Sequence, residues 1–435
     1  MKSTPPVSIF WFRRDLRLND NPALLMALKS GFPVLPIFIF DSQILSQLIN
    51  KKDARVLFIH QEILRLKNEL EKIGSSLRIF YNTPKQVFEN LIDEYQIKSV
   101  FANRDYEPYA QNRDKEINEL LKAKSIDFKG AKDHVIFEKN EITKDDGKPY
   151  SIFTPYAKKW KNALSEFDFH PYSCEEYWKN FLPCQPFSSL GLTEIGFENF
   201  DFKFPNRKID EKIIVNYGRD RDFPAISGTS RLSLHLRFGI ISIRQLCKIA
   251  FEKSDKFLME LIWRDFYQMI IYHFPNSAKS AFKPQYNKII WRNSASDFQK
   301  WCEGKTGYPI VDAGMRELNN TGFMHNRVRM IVASFLSKHL LIDWRLGEKY
   351  FAEKLLDYEL ASNVGGWQWV VGSGCDAAPY FRVFSPDAQS EKFDPEKKYI
   401  KKWVPEFGSA KYPKPIVEHK EARLRCLEAF RIALK

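Results

Sequence analysis

Apolar and polar positions change rhythm twice along this chain. Through the first 130 residues, short apolar runs alternate with amphipathic stretches. The runs are VSIFWF (7–12), VLPIFIFD (34–41), LRIFY (77–81) and SVFANRD (99–105). Their length and their β-branched and aromatic content predict strands. Residues 54–73 predict a helix, because Val56, Ile59, Ile63, Leu66, Leu70 and Ile73 recur at steps of three and four along one face. Strands alternating with helices predict a doubly wound, Rossmann-like parallel sheet. No GxGxxG follows the first run, so an ordinary dinucleotide fingerprint is missing.

From 131 to 205 the chain is rich in Pro, Phe, Tyr and Ser, as in FTPYAKKW and FLPCQPFSSLG, and reads as a long ordered connector. Beyond it, 206–435 reads as a helical domain. LIWRDFYQMIIYHF (261–274) and NRVRMIVASFLSKHLLI (326–342) are its strongest helices. There is no internal repeat and no apolar run of the roughly 18 residues that would span a bilayer.

Composition adds a partner class. The 435 residues carry a net charge of +13, which favours polyanions. Aromatic residues make up 15%, with ten Trp, and bases stack on aromatic faces. Six Cys stand at 174, 184, 247, 302, 375 and 426, none in a CxxC, so reduced thiols in a cytoplasmic protein are expected and no metal site is.

Four stretches carry candidate chemistry. GTSRLSLHLRFG (228–239) puts Thr229, Ser230 and Ser233 where a helix should begin; these hydroxyls suit either helix caps or a cradle for a diphosphate, with Arg231 adding charge. ELIWRDFY sets Glu260, Trp263, Arg264 and Tyr267 at i, i+3, i+4 and i+7, one helix face on which Glu260 and Arg264 could pair. NNTGFMHNRVRM puts Asn326, Arg329 and Met330 on one face, with His325 about 100° round the helix from Asn326. DYELASNVGGWQWVVGSGCDAAPYFRVFSP (357–386) combines glycines with two Trp, as a backbone that approaches a flat object closely would require.

In this order these motifs resemble the DNA photolyase/cryptochrome family, closest to photolyases of class I type that act on cyclobutane pyrimidine dimers. The similarity runs from WFRRDLRLNDNPAL to KKWVPE. It implies an N-terminal α/β antenna domain (1–130), a connector and an all-α domain (206–435) that binds FAD and DNA. It implies light-driven repair by electron transfer from excited reduced FAD to a flipped-out dimer, in double- or single-stranded DNA, by a monomer working at the nucleoid. The alternative within the family is a cryptochrome, a photoreceptor without repair. A generic flavoprotein reductase is disfavoured by the missing nicotinamide fingerprint.

The resemblance also assigns roles. Tyr217, Thr229, Ser230, Arg231, Leu232 and Ser233 match the segments that hold the flavin diphosphate. Glu260, Arg264, Asn326, Arg329, Asp357, Glu359 and Asn363 match the rest of the flavin surround, with Asn363 facing flavin N5 and Arg329 the partner of Asp357. Glu260, Asn326, Met330 and Asn363 are the catalytic set. Trp263 and Trp369 match Trp residues that stack on the dimer; Arg221, Arg327 and Arg382 match arginines on DNA phosphates. Trp291, Trp344 and Trp367 match a three-tryptophan electron chain. Photolyases for (6-4) photoproducts carry two His where Asn326 and Met330 stand. The chain departs from the common DGDLAANNGGWQW at Glu359 and Val364, which leaves the flavin contact of the longer Glu359 open. A second, antenna chromophore is expected in the N-terminal domain, a deazaflavin or a methenyltetrahydrofolate. NRDYEPYA (103–110) lacks the Asn-Glu pair of some folate binders, which leans away from folate.

Overall fold

The computed structural model describes residues 5–435. They divide into two compact units. One holds the chain to Glu138, Leu164–Ile209 and Arg231–Ile249; the other holds Lys139–Ala163, Asp210–Ser230 and Ala250–Lys435. The stretch read as a connector is thus shared out between them, its single α-helix, Phe153–Ala163, going with the second.

The first unit is built on five parallel strands, β1 (Val7–Phe12), β2 (Val34–Asp41), β3 (Arg78–Asn82), β4 (Ile97–Asn103) and β5 (Asp127–Ala131), in the order β3-β2-β1-β4-β5. Every residue of β1 and β2 is buried, as expected for central strands covered on both faces. The register is direct: Ile9 lies opposite Leu35 on one side and Val100 on the other. The helix Ala54–Glu71 starts at Asp53, whose carboxylate accepts from Arg55 N–H at 2.9 Å. Chain order reverses between β1 and β4, so their carboxyl ends form the crevice where open α/β sheets take ligands.

The second unit is helical. Its core is formed by Trp301, Phe335, Phe351, Trp367 and the aliphatic residues around them. Two close approaches depend on glycine. A Cβ on Gly347 would lie 2.2 Å from the Trp367 ring, and one on Gly365 would lie 2.3 Å from the Tyr267 ring. The helix Asn326–Ser334 runs on into a π-turn, Phe335–His339, which inserts an extra residue per turn. Among the described residues no helix is long and apolar enough to cross a membrane.

Candidate flavin and DNA site

The helix Asp255–His273 begins at Ser254, whose hydroxyl accepts from Phe257 N–H at 3.4 Å. It presents Glu260, Trp263, Arg264 and Tyr267 in a row, as their spacing predicts. The Glu260–Arg264 pair allowed by that spacing does not form. Glu260 instead pairs with Arg221, and Arg264 pairs with Glu359 at 3.1 Å. Burial pushes the Glu260 carboxyl above the usual carboxylate range, and the Arg221 cation opposes that shift. Glu359, only 6% exposed, also accepts from Ser362 Oγ at 2.9 Å, so its extra methylene is absorbed by a salt bridge and a hydroxyl.

Trp263 lies flat on Phe153, ring centroids 3.6 Å apart and planes 6° apart. Phe153 therefore backs one face of a half-buried indole, and it was invisible to sequence reasoning because it lies in the connector-like stretch. Its N–H donates to Asp376 Oδ2 at 3.2 Å, which ties Phe153 to the Asp-Ala-Ala-Pro segment.

His325 is not on the helix that follows. It is the N-cap of Asn326–Ser334, its Nδ1 accepting from Arg327 N–H at 3.2 Å. The expected 100° offset is thus replaced by a capping role. Asn326 is exposed and Met330 half-buried. Arg329 bonds Asp357 at 3.0 Å and the Met324 carbonyl at 2.8 Å. Arg327 pairs with Asp222 at 2.8 Å and lies 4.2 Å from the centre of the Phe393 ring.

On the helix Leu360–Val371, the Asn363 amide donates to Glu348 Oε1 at 2.9 Å. Glu348, which sequence reasoning missed, is raised by burial, with Asn363 and Tyr358 hydrogen bonds opposing. One turn on from Asn363, a Cβ on Gly366 would meet nothing within 4 Å. Trp367 is buried edge-on to Phe351, with centroids 5.0 Å apart. Trp369 is half-buried and Arg382 exposed.

Trp344 opens the helix Trp344–Lys354, the same helix whose Gly347 receives the Trp367 ring. The Trp291 segment is tied beside it: Arg292 N–H donates to the Leu341 carbonyl at 2.7 Å and Asp343 N–H to Asn293 Oδ1 at 2.8 Å. Trp291 itself is half-buried, edge-on to Phe430. The three Trp are thus linked through contiguous elements.

The GTSRLS segment behaves differently from a capped helix. Thr229 and Ser230 fall in the second unit and Arg231–Ser233 in the first. The helix Ser233–Arg237 has Leu232 at its N-cap and no side-chain cap, so the serine-cap reading fails. Arg231 takes a left-handed φ of 52°. Tyr217 packs edge-on against Phe257, and burial pushes its hydroxyl far up. A helix start without a side-chain cap suits a phosphate group. Within the second unit, the open position at Gly366 beside Asn363 suits a flat ring such as the flavin of FAD.

In the first unit, Arg13 and Arg113 lie 5.1 and 4.9 Å from the Trp11 ring centre at the carboxyl end of β1, and both pair with Asp114. In NRDYEPYA, Tyr106 donates to Glu138 at 2.6 Å, Glu107 pairs with Arg14 at 3.3 Å and Tyr109 donates to Asp41 at 2.5 Å.

Two family models match, "DNA photolyase" over residues 8–175 and "FAD binding domain of DNA photolyase" over 257–411. The deoxyribodipyrimidine photo-lyase of Vibrio cholerae is 36% identical over 98% of this chain and 99% of its own. The chain belongs to the DNA photolyase family. Among solved photolyases, a bacterial class III enzyme from Agrobacterium tumefaciens superposes with a TM-score of 0.86 at 33% identity, covering 100% of this chain and 98% of that one. The archaeal photolyase from Sulfolobus tokodaii, solved with two FAD molecules, gives 0.83 at 34% identity, covering 98% and 99%. The match to the photolyase FAD-binding domain spans Glu260, Trp263, Asn326, Asn363, Trp291, Trp344 and Trp367.

Proposed function

We propose that this photolyase repairs cyclobutane pyrimidine dimers in DNA with light, as a cytoplasmic monomer. The observation that carries the reading is the row on the Asp255–His273 helix: a partly exposed carboxyl, Glu260, one turn from a Phe-backed indole, Trp263. A dimer stacks and pairs poorly, so extruding it costs less than extruding a normal base; photolyases are among the enzymes that do this. Trp263 and Trp369 replace the lost stacking, worth roughly 1–3 kcal/mol per base. Arg221, Arg327 and Arg382 hold phosphates.

Bound FAD, excited in its reduced form, supplies the electron that splits the cyclobutane ring. Arg264, Glu359, Arg329, Asp357 and Asn326 would surround bound FAD, and Tyr217, Thr229, Ser230, Arg231, Leu232 and Ser233 would hold its diphosphate. Asn363, whose amide nitrogen is held by Glu348, would face the ring. Glu260 hydrogen-bonds the base of the electron-rich dimer, and Met330 lines its pocket. Trp367, Trp344 and Trp291 conduct electrons from the surface.

Repair of (6-4) lesions moves a hydroxyl between bases and calls for a proton donor such as His. Asn326 can only hydrogen-bond and Met330 does neither usefully, while His325 is spent on capping. Defined cyclobutane and (6-4) oligonucleotides under blue light with reduced enzyme test this. Cyclobutane repair alone is expected. Repair of neither lesion would indicate a cryptochrome-type photoreceptor.

A second chromophore, a deazaflavin or a folate, is proposed for the first unit at the carboxyl ends of β1 and β4. The switch-point position and the second FAD of the archaeal relative support it. The absorption spectrum of protein from its native host identifies it.

A further inference from the structure

Lys338 is 1% exposed and sits inside the π-turn Phe335–His339. A buried ammonium is costly unless its protons are taken up. Here they point at backbone: Nζ donates to the carbonyl of Arg382 at 2.8 Å and to that of Tyr380 at 3.2 Å. Burial lowers the amine to about 8, the Arg382 cation adding to the shift and Cys426 opposing it.

The two carbonyls belong to residues two apart in the irregular stretch between the helices Leu360–Val371 and Pro386–Phe393. Successive carbonyls of an irregular chain need not face the same way, so two on one cation fix two peptide planes at once. The local turn is completed by Arg382 N–H to the Pro379 carbonyl at 3.0 Å and Val383 N–H to that of Phe381 at 3.1 Å. Tyr380 stacks on Phe430, centroids 5.9 Å apart and planes 13° apart. With carbonyls and Tyr380 held inward, Phe381 (61% exposed) and Arg382 are directed outward.

We propose that Lys338 is a positioning residue for DNA binding: from beneath the surface it clamps the Tyr380 and Arg382 carbonyls and thereby aims Arg382 at the phosphate backbone. The inference rests on the DNA-facing role of Arg382 given above. It also accounts for the π-turn. A local widening of the helix brings Lys338 under the loop, and such turns recur at functional sites.

The test is a double-mutant cycle on the full-length flavoprotein, using a dimer-containing oligonucleotide. Lys338→Met, which keeps the stem and removes the donors, is expected to lower affinity about tenfold, the scale of losing hydrogen bonds to a charged group. It should retain FAD and its photoreduction. In the Arg382→Ala background the same change should do nothing further. Trypsin gives a second readout without DNA: cleavage after Arg382 should be faster in Lys338→Met. Lys338→Gln, a shorter neutral donor, should fall between and serves if the Met variant does not fold. Wild-type affinity in the folded variants, or losses that multiply with Arg382→Ala, would overturn the proposal. If Arg382→Ala alone leaves DNA binding intact, the DNA role of the loop fails, and the trypsin rate still decides the clamp.

Discussion

Arg221 and Glu260 are ion-pair partners although they come from separate elements, one at the C-cap of the helix Glu211–Asp220, the other in the second turn of Asp255–His273. Both are proposed to meet DNA, one at a phosphate and one at the lesion. A phosphate that draws Arg221 away therefore leaves the Glu260 carboxyl available to the base. With those proposed roles, the pair would couple strand binding to the presentation of the lesion contact.

Removing the cation leaves burial unopposed, so Arg221→Gln should move Glu260 protonation to higher pH. The infrared band of the protonated carboxyl, compared with Glu260→Gln as a blank, reads this directly. Glu260→Ala should lower repair yield several-fold while affinity stays within about twofold, because a contact made to the electron-rich dimer stabilises the reaction path and not the ground state. Equal losses in both would make Glu260 a substrate-positioning group.

Arg327 carries its own competitor, Asp222, at 2.8 Å. Arg327→Ala should weaken damaged and undamaged DNA alike and reduce the salt slope by about one. Asp222→Asn should instead tighten binding modestly. An unchanged salt slope in Arg327→Ala would take this residue off the DNA surface.

Trp291→Phe should block photoreduction of oxidised FAD and spare repair by enzyme reduced chemically. Transient absorption following light on the oxidised protein separates the two. Normal photoreduction would mean that electrons leave by another route.

Two glycines in neighbouring helices should respond in opposite ways. Gly347→Ala drives a methyl to 2.2 Å from the Trp367 ring and 2.5 Å from Leu336 Cδ2, overpacking that costs about 1–3 kcal/mol in denaturant unfolding. Gly366→Ala meets nothing within 4 Å, gains helix propensity, and should leave the apoprotein at least as stable while weakening FAD retention. Stability losses of equal size would show that the space at Gly366 is not a ligand's.

What the sequence revealed follows from how local each signal is. The fully buried runs at 7–12 and 34–41 and the periodic helix at 54–73 were legible because burial on both faces or on one face imprints the pattern. The strand β5, DFKGA, was not: an edge strand of five residues with only Ala131 buried carries little apolar signal. The run 326–342 reads as one helix, and nothing in its periodicity marks the π-turn. Within the site, the Arg329–Asp357 contact follows from family register. The partners Phe153, Glu348 and Asp222 come from distant segments, and no spacing rule connects them to Trp263, Asn363 or Arg327.

The π-turn also sets a constraint on length. The helix Asn326–Ser334 presents Asn326 and Met330, and the chain beyond the turn leads to Trp344. Phe335–His339 acts as a shim between these two stretches and fixes their relative phase. Point changes there act only through the side chain replaced, as at Lys338, whereas deleting one residue would restore an ordinary helical turn and rotate the end of this helix by about 100°. The segments proposed to bear lesion contacts and electron conduits are thus kept in alignment by a count of residues, and in this stretch the protein should tolerate a new side chain far more readily than a gap.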